Sequence, residues 1–136
     1  MQKRIFKALD QVRDEIIELS RNIHAHPELC FEEHASAGFI TELLERHGFD
    51  IERGTGGLET AFRATFEGRE PGPTVAFLAE YDALPEIGHG CGHNLIAAVA
   101  AGAGIALSKV MEELPGRVVV LGTPAEEGGG GKVLLL

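Results

Sequence analysis

Residues 74–79 read TVAFLA and residues 117–122 read RVVVLG. After their first residues, neither run shows the polar alternation of a strand with one wet face. Near-continuous apolar runs of this length predict strands covered on both faces, as in a sheet flanked by helices. Between them, Asn94 to Leu114 is Ala-rich and apolar almost all round, which predicts a buried helix. Strand, helix, strand is a βαβ unit, because a parallel pair needs a crossover of about a dozen residues or more, nearly always right-handed. The expected class is α/β: a βαβ-containing sheet flanked by helices.

Upstream of this unit the pattern changes. Ile5, Leu9, Val12, Ile16, Leu19 and Ile23 recur every three or four residues and predict an amphipathic helix that ends before Pro27. A second helix is expected from about Glu32 to His47, burying Phe39, Ile40, Leu43 and Leu44, with Gly48 as its stop. Phe49 to Arg53 reads as a short strand. From Glu59 to Phe66 the residues alternate, with Thr60, Phe62, Ala64 and Phe66 on one face, so a half-wet strand is predicted. GREPGP at 68–73 is a turn.

Composition narrows the function. The chain has 136 residues, 44% hydrophobic and 24% charged, enough for one domain with a real core. A formal charge of −9 and the lack of any Lys/Arg stripe exclude nucleic acid as an expected partner. The most apolar run, Leu95 to Leu107, falls short of the roughly 20 residues that span a bilayer, so no membrane role is expected. No stretch reads as an export signal. Two cysteines, Cys30 and Cys91, do not make a disulfide framework, and the expected setting is reducing and cytoplasmic.

In open α/β sheets, sites form at the carboxyl ends of the strands. The first strand of the unit empties into EYDALPEIGHGCGHN (80–94) and the second into TPAEEGGGG (123–131). If the strands are parallel, Asp82, Cys91, His93, Glu126 and Glu127 converge on one edge. A thiolate and an imidazole two residues apart suit a borderline cation such as zinc, and the intervening glycines let backbone wrap an ion. Asn94 is the expected N-cap of the helix, whose dipole would favour the deprotonated thiol of Cys91.

Each residue also has a plainer reading. An isolated Cys-x-His is more often a buried thiol beside a loop histidine. Paired glutamates in a loop are usually solvated, and Asp82 ahead of Pro85 can be a turn residue. His89 is either a further ligand or structural, while His24 and His26 are expected to cap or pack. GGGGK at 128–132 is not a phosphate loop, because Glu126 stands where the first glycine is needed and Val133 replaces the Ser or Thr. Its glycines instead permit close packing of the loop against the site.

AEYDALPEIGHGCGHN, followed about 30 residues later by GTPAEEGGGGK, resembles the aminoacylase-like amidohydrolase family of two-metal peptidases. That family includes hippurate hydrolases, aminobenzoyl-glutamate hydrolases and hydrolases of auxin–amino acid conjugates. RNIHAHPELCFEE looks like its N-terminal segment, so the similarity covers about residues 20–132. GHGCGHN and GTPAEEGG look closest to the branch that holds aminobenzoyl-glutamate hydrolases and dipeptidases acting on β-alanyl-lysine-like substrates.

The resemblance implies that Cys91, His93 and Glu127 hold divalent metal, two ions of zinc or manganese in the complete enzyme. It makes Glu126 the general base and Asp82 a supporting acid. The implied reaction is hydrolysis of an amide bond in an N-acyl amino acid or dipeptide by a homo-oligomeric enzyme. Asn94 and Glu80 depart from the Asp that many relatives carry. Members are about three times longer, so residues 1–136 are expected to be the N-terminal portion of a metallopeptidase catalytic domain. An inserted dimerisation or lid domain and the C-terminal half would lie elsewhere, and the fragment alone is expected to be inactive. Two rival readings are a non-catalytic metal-binding or subunit-association fragment, and a nucleotide-binding domain disfavoured by the failed phosphate loop.

Overall fold

The computed structural model describes residues 1–136. In chain order the elements are α1 (Gln2–Ala25), α2 (His34–Arg46), β1 (Asp50–Arg53), β2 (Phe62–Glu67), β3 (Thr74–Ala79), α3 (His93–Ser108), β4 (Arg117–Gly122) and α4 (Gly131–Leu134). The sheet order is β1-β2-β4-β3. β3 and β4 are parallel, with Ala79 opposite Gly122, while β1–β2 and β2–β4 are antiparallel. The expected strand–helix–strand unit is therefore present as β3–α3–β4, and β2 lies against its far side.

The helices share one core with one face of this sheet. Val12, Leu19 and Ile23 of α1 meet Ile40, Leu43 and Leu44 of α2, Ala97, Ala101 and Ile105 of α3, and Phe62, Ala64, Val118 and Val120 of the strands. The 3.6-residue spacing of the apolar positions in α1 and α2 delivers them to this face, and each fully buried Ile or Leu contributes about 1.5–3 kcal/mol relative to exposure. α2 stops at Gly48, whose φ of +89° suits glycine at a helix end. Its start is satisfied from outside: the Glu28 carboxylate accepts the backbone N–H groups of Ala35 and Ser36, both at 2.8 Å.

Four sequence expectations change. β4 is buried as read, but β3 is a sheet edge on which only Ala79 is buried and Leu78 is 48% exposed. An apolar strand in an edge position keeps one side and its outer backbone groups open. α3 ends at Ser108 rather than near Leu114, the chain passing through a tight 3₁₀ turn at Met111–Glu113. Nor is α3 buried all round, since Leu95, Ile96 and Val99 join β3 in an open apolar patch. Finally, the helix is capped at Gly92, not Asn94. The Asn94 carboxamide instead donates to Ser20 Oγ at 2.9 Å, tying α3 to α1.

Candidate metal centre

The parallel register of β3 and β4 brings the segments leaving their carboxyl ends side by side. Thr123 N–H donates to Ala79 O at 2.8 Å, which sets the chain after β4 against the chain after β3. α3 then begins at His93 and points its buried imidazole into the junction. His93 Nε2 lies 3.5 Å from Glu80 Oε2, 3.6 Å from Glu126 Oε2 and 3.7 Å from Glu127 Oε1. On the other side of the ring, Nδ1 is 2.9 Å from the Asp82 carbonyl oxygen and 2.9 Å from Asp82 Oδ1. The hydrogen bond to the Asp82 main-chain carbonyl sets the ring's orientation and directs the Nε2 lone pair outward, as a backbone carbonyl behind a metal-binding histidine does, and the Asp82 carboxylate lies against the same nitrogen.

Asp82 is itself fully buried. Its Oδ2 accepts the Glu127 N–H at 2.9 Å and sits 3.6 Å from Cys30 Sγ. Burial, followed by the Asp82 charge, pushes the Cys30 thiol up. Cys91 is exposed at the rim, and the Glu127 carboxylate nearby is the main cause of a raised thiol pKa. The nearby carboxylates of Glu127, Glu126 and Asp82 act against the thiolate that the helix terminus would favour.

The donor set fits a cation. Carboxylates of Glu80, Asp82, Glu126 and Glu127 surround one imidazole, and the only ammonium among them is Lys132, paired with Glu80. Like charges so close repel unless a cation or protons intervene. Glu80, His93 and Glu126 each offer a ligand atom, all within 4.8 Å of one another. That grouping differs from the expected Cys91, His93 and Glu127: it keeps His93, draws in Glu80, and puts Glu126 as near the imidazole as Glu127.

Three residues around the site were missed in the sequence, and a fourth, Glu80, was marked there only as a departure from the Asp of many relatives. Glu80 follows β3 directly, so the strand-end rule alone was a usable signal. Lys132, Cys30 and Glu33 carried none. His89 is elsewhere: its ring stacks loosely 6.2 Å from that of His24, and both ring nitrogens are buried without a partner. His26 caps α1 as expected, its Nδ1 2.8 Å from Asn22 O. The glycine run packs closely as expected, since a Cβ on Gly129 would come 2.3 Å from the Phe31 ring.

A half-open α/β sheet with an imidazole set against a buried aspartate, and glutamates from the adjoining strand end, makes a candidate metal-binding domain of the α/β class. Residues 76–136 match the model of Peptidase family M20/M25/M40. It is 43% identical to the Xaa-Arg dipeptidase of Mus musculus, across 100% of this chain and 34% of that protein. It is 32% identical to the N-acyl-L-amino acid amidohydrolase of Geobacillus stearothermophilus, across 90% of this chain and 36% of that one. The crystal structure of the Bacillus subtilis YXEP protein, a dinuclear metal binding peptidase of the M20 family, superposes with a TM-score of 0.77 at 32% identity, covering 87% of this chain and 36% of that chain. The chain thus spans about a third of the length of the relatives it matches.

Proposed function

We propose that residues 1–136 form the metal-binding part of an enzyme that hydrolyses the amide bond of a dipeptide or N-acyl amino acid. One observation carries the reading: His93 Nε2 lies within 3.7 Å of the Glu80, Glu126 and Glu127 carboxylates where two adjacent parallel strands end. Cys91, His93 and Glu127 would hold divalent metal, with Glu80 as a further donor, and two ions in the complete site. A thiol and an imidazole favour zinc, whereas the surplus of carboxylates also accommodates manganese. Bound metal supplies Lewis-acid polarisation of the scissile carbonyl and a more acidic water.

This chain's own residues do the rest. Glu126, partly exposed, takes the proton of the attacking water and returns it to the departing amine. Asp82 holds His93 in one tautomer and, through the Glu127 amide, fixes where the glutamate loop begins. The remaining catalytic residues, with a lid or dimerisation domain inserted between, belong in this reading to polypeptide beyond the stretch described. Cytoplasm is the setting, where Cys91 would stay reduced. A net charge of −9 does not suit a phosphate backbone, and no helix is long and apolar enough to cross a membrane.

The test begins with metal. Zn²⁺ or Co²⁺ titrated into the chain should bind, Asp82→Ala should weaken binding about 10–100-fold, and His93→Ala should weaken it further. Equal affinity in all three proteins would remove the metal from the reading. Dipeptides ending in arginine, N-acyl amino acids and aminobenzoyl-glutamate, offered to the protein extended to its relatives' length, then identify the substrate. Metal bound without turnover of any of them favours the second reading, a metal-binding or subunit-association module.

That second reading has its own support in the open side of β3. Leu78 there, with Leu95, Ile96 and Val99 of α3, forms an exposed apolar patch beside unpaired strand backbone. The chain alone is therefore expected to form homo-oligomers, with Leu78→Lys reducing assembly. Light scattering that reads a monomer at every concentration would rule this out.

A further inference from the structure

Glu33 is fully buried, at 0% exposure, and no lysine or arginine pairs with it. Such a carboxylate is costly to bury, and its position persists only where hydrogen bonds replace the lost water. Two do. Glu33 Oε1 accepts the backbone N–H of Ala125 at 2.8 Å, across 92 residues of chain. Oε2 accepts the hydroxyl of Thr60 at 2.9 Å. The carbonyl of Thr60 in turn accepts the buried Tyr81 hydroxyl at 2.7 Å.

These bonds fall at particular places. Tyr81 lies between Glu80 and Asp82 in the segment after β3, and Ala125 immediately precedes Glu126 and Glu127 in the segment after β4. Ala125 is also in the left-handed region, with φ +57°, although it is not glycine. Strain of this kind persists only when the surroundings over-determine it, and it clusters where backbone direction matters. The Ala125 turn is held from three sides: Glu33 takes its N–H, while its own carbonyl accepts the N–H groups of Gly129 and Gly131 at 3.2 and 3.3 Å. Without Glu33 the Ala125 N–H would be a buried donor with no acceptor, and the turn would lose the one side chain that reaches it.

We infer that Glu33 is a positioning residue: it fixes the strained turn at Ala125 and, through Thr60 and Tyr81, holds both strand-end segments so that Glu126 and Glu127 face His93. It touches neither substrate nor metal. The assignment rests on the metal-centre reading for its purpose, but the clamp itself is a property of the bare chain.

The test separates the two. Hydrogen exchange of residues 123–131, followed without metal, is compared among the unaltered chain, Glu33→Leu, Glu33→Asp and Glu33→Gln. Glu33→Leu should raise exchange in this loop at least about tenfold while β4 stays protected, because only local opening is involved. Glu33→Asp keeps the charge but is one methylene short of Ala125. It should behave like leucine, and it carries the test if the leucine variant does not fold. Glu33→Gln still offers an oxygen to Ala125 and should restore protection. Loop protection unchanged in the aspartate and leucine variants, or lost equally throughout the molecule and not rescued by glutamine, overturns the assignment. In parallel, Co²⁺ titrations followed by visible absorption should show weaker binding and altered bands in Glu33→Asp and near-normal ones in Glu33→Gln. If the unaltered chain binds no Co²⁺, the metal reading fails while the exchange result still decides what Glu33 does.

Discussion

Glu126→Gln, made in the protein extended to its relatives' length, is expected to lower kcat about 10²–10⁴-fold and leave KM and metal content nearly unchanged. Glutamine keeps the size and shape of the side chain but cannot accept a proton from water. The metal measurement is essential, because Glu126 Oε2 lies 3.6 Å from His93 Nε2, as near as the Glu80 and Glu127 oxygens. A ligand and a base at this spot look alike from distance alone. Metal lost in step with turnover would make Glu126 a ligand and shift the base elsewhere; retained turnover would deny it either role.

Phe62→Ala is expected to be the most destabilising single change in the sheet. Phe62 is 1% exposed, stacks on Tyr81 with ring centroids 6.0 Å apart, and pairs with Gly122 at the end of β4. Removing a buried phenylalanine costs about 3–5 kcal/mol, which for a chain of this size lowers Tm by roughly 10–20 °C. The vacancy would open directly beneath Tyr81, so metal affinity should fall along with stability. Calorimetry on the variant gives the answer: a Tm within a few degrees of the original would mean that the ring does not anchor the strand ends.

The sequence made the convergence of Asp82, His93, Glu126 and Glu127 legible because strand direction, not side-chain chemistry, brings them together. Two apolar runs joined by a helix imply a parallel pair, and a parallel pair puts both exits on one edge. The same runs misled about β3. An apolar strand records that something should cover it, without recording what, so the exposed faces of Leu78 and Val99 look no different in sequence from buried ones. α3 was read too long for a related reason, since the apolar pattern continues through Val110 and Met111 after the helix has ended. The carboxylates beside Cys91 were not legible either: the dipole of α3 is local and visible in sequence, whereas the carboxylate of Glu127 arrives from 36 positions away. Glu33 was beyond reach altogether, because a bond to an amide 92 residues downstream leaves no local pattern.

The sheet order has a consequence for how the molecule comes into being. β4 is the last of these four strands in chain order, yet it occupies the interior of the sheet, hydrogen-bonded to β2 on one side and β3 on the other. As the polypeptide leaves the ribosome, the β1–β2 ribbon and β3 have no backbone partnership with each other until residues 117–122 emerge. The strand that unites them is also the one whose exit carries Glu126 and Glu127, so joining the ribbon to β3 and delivering the glutamates are a single event. A nascent chain stalled before residue 117 would hold its first two helices and a loose ribbon, but no edge on which the four carboxylates could meet.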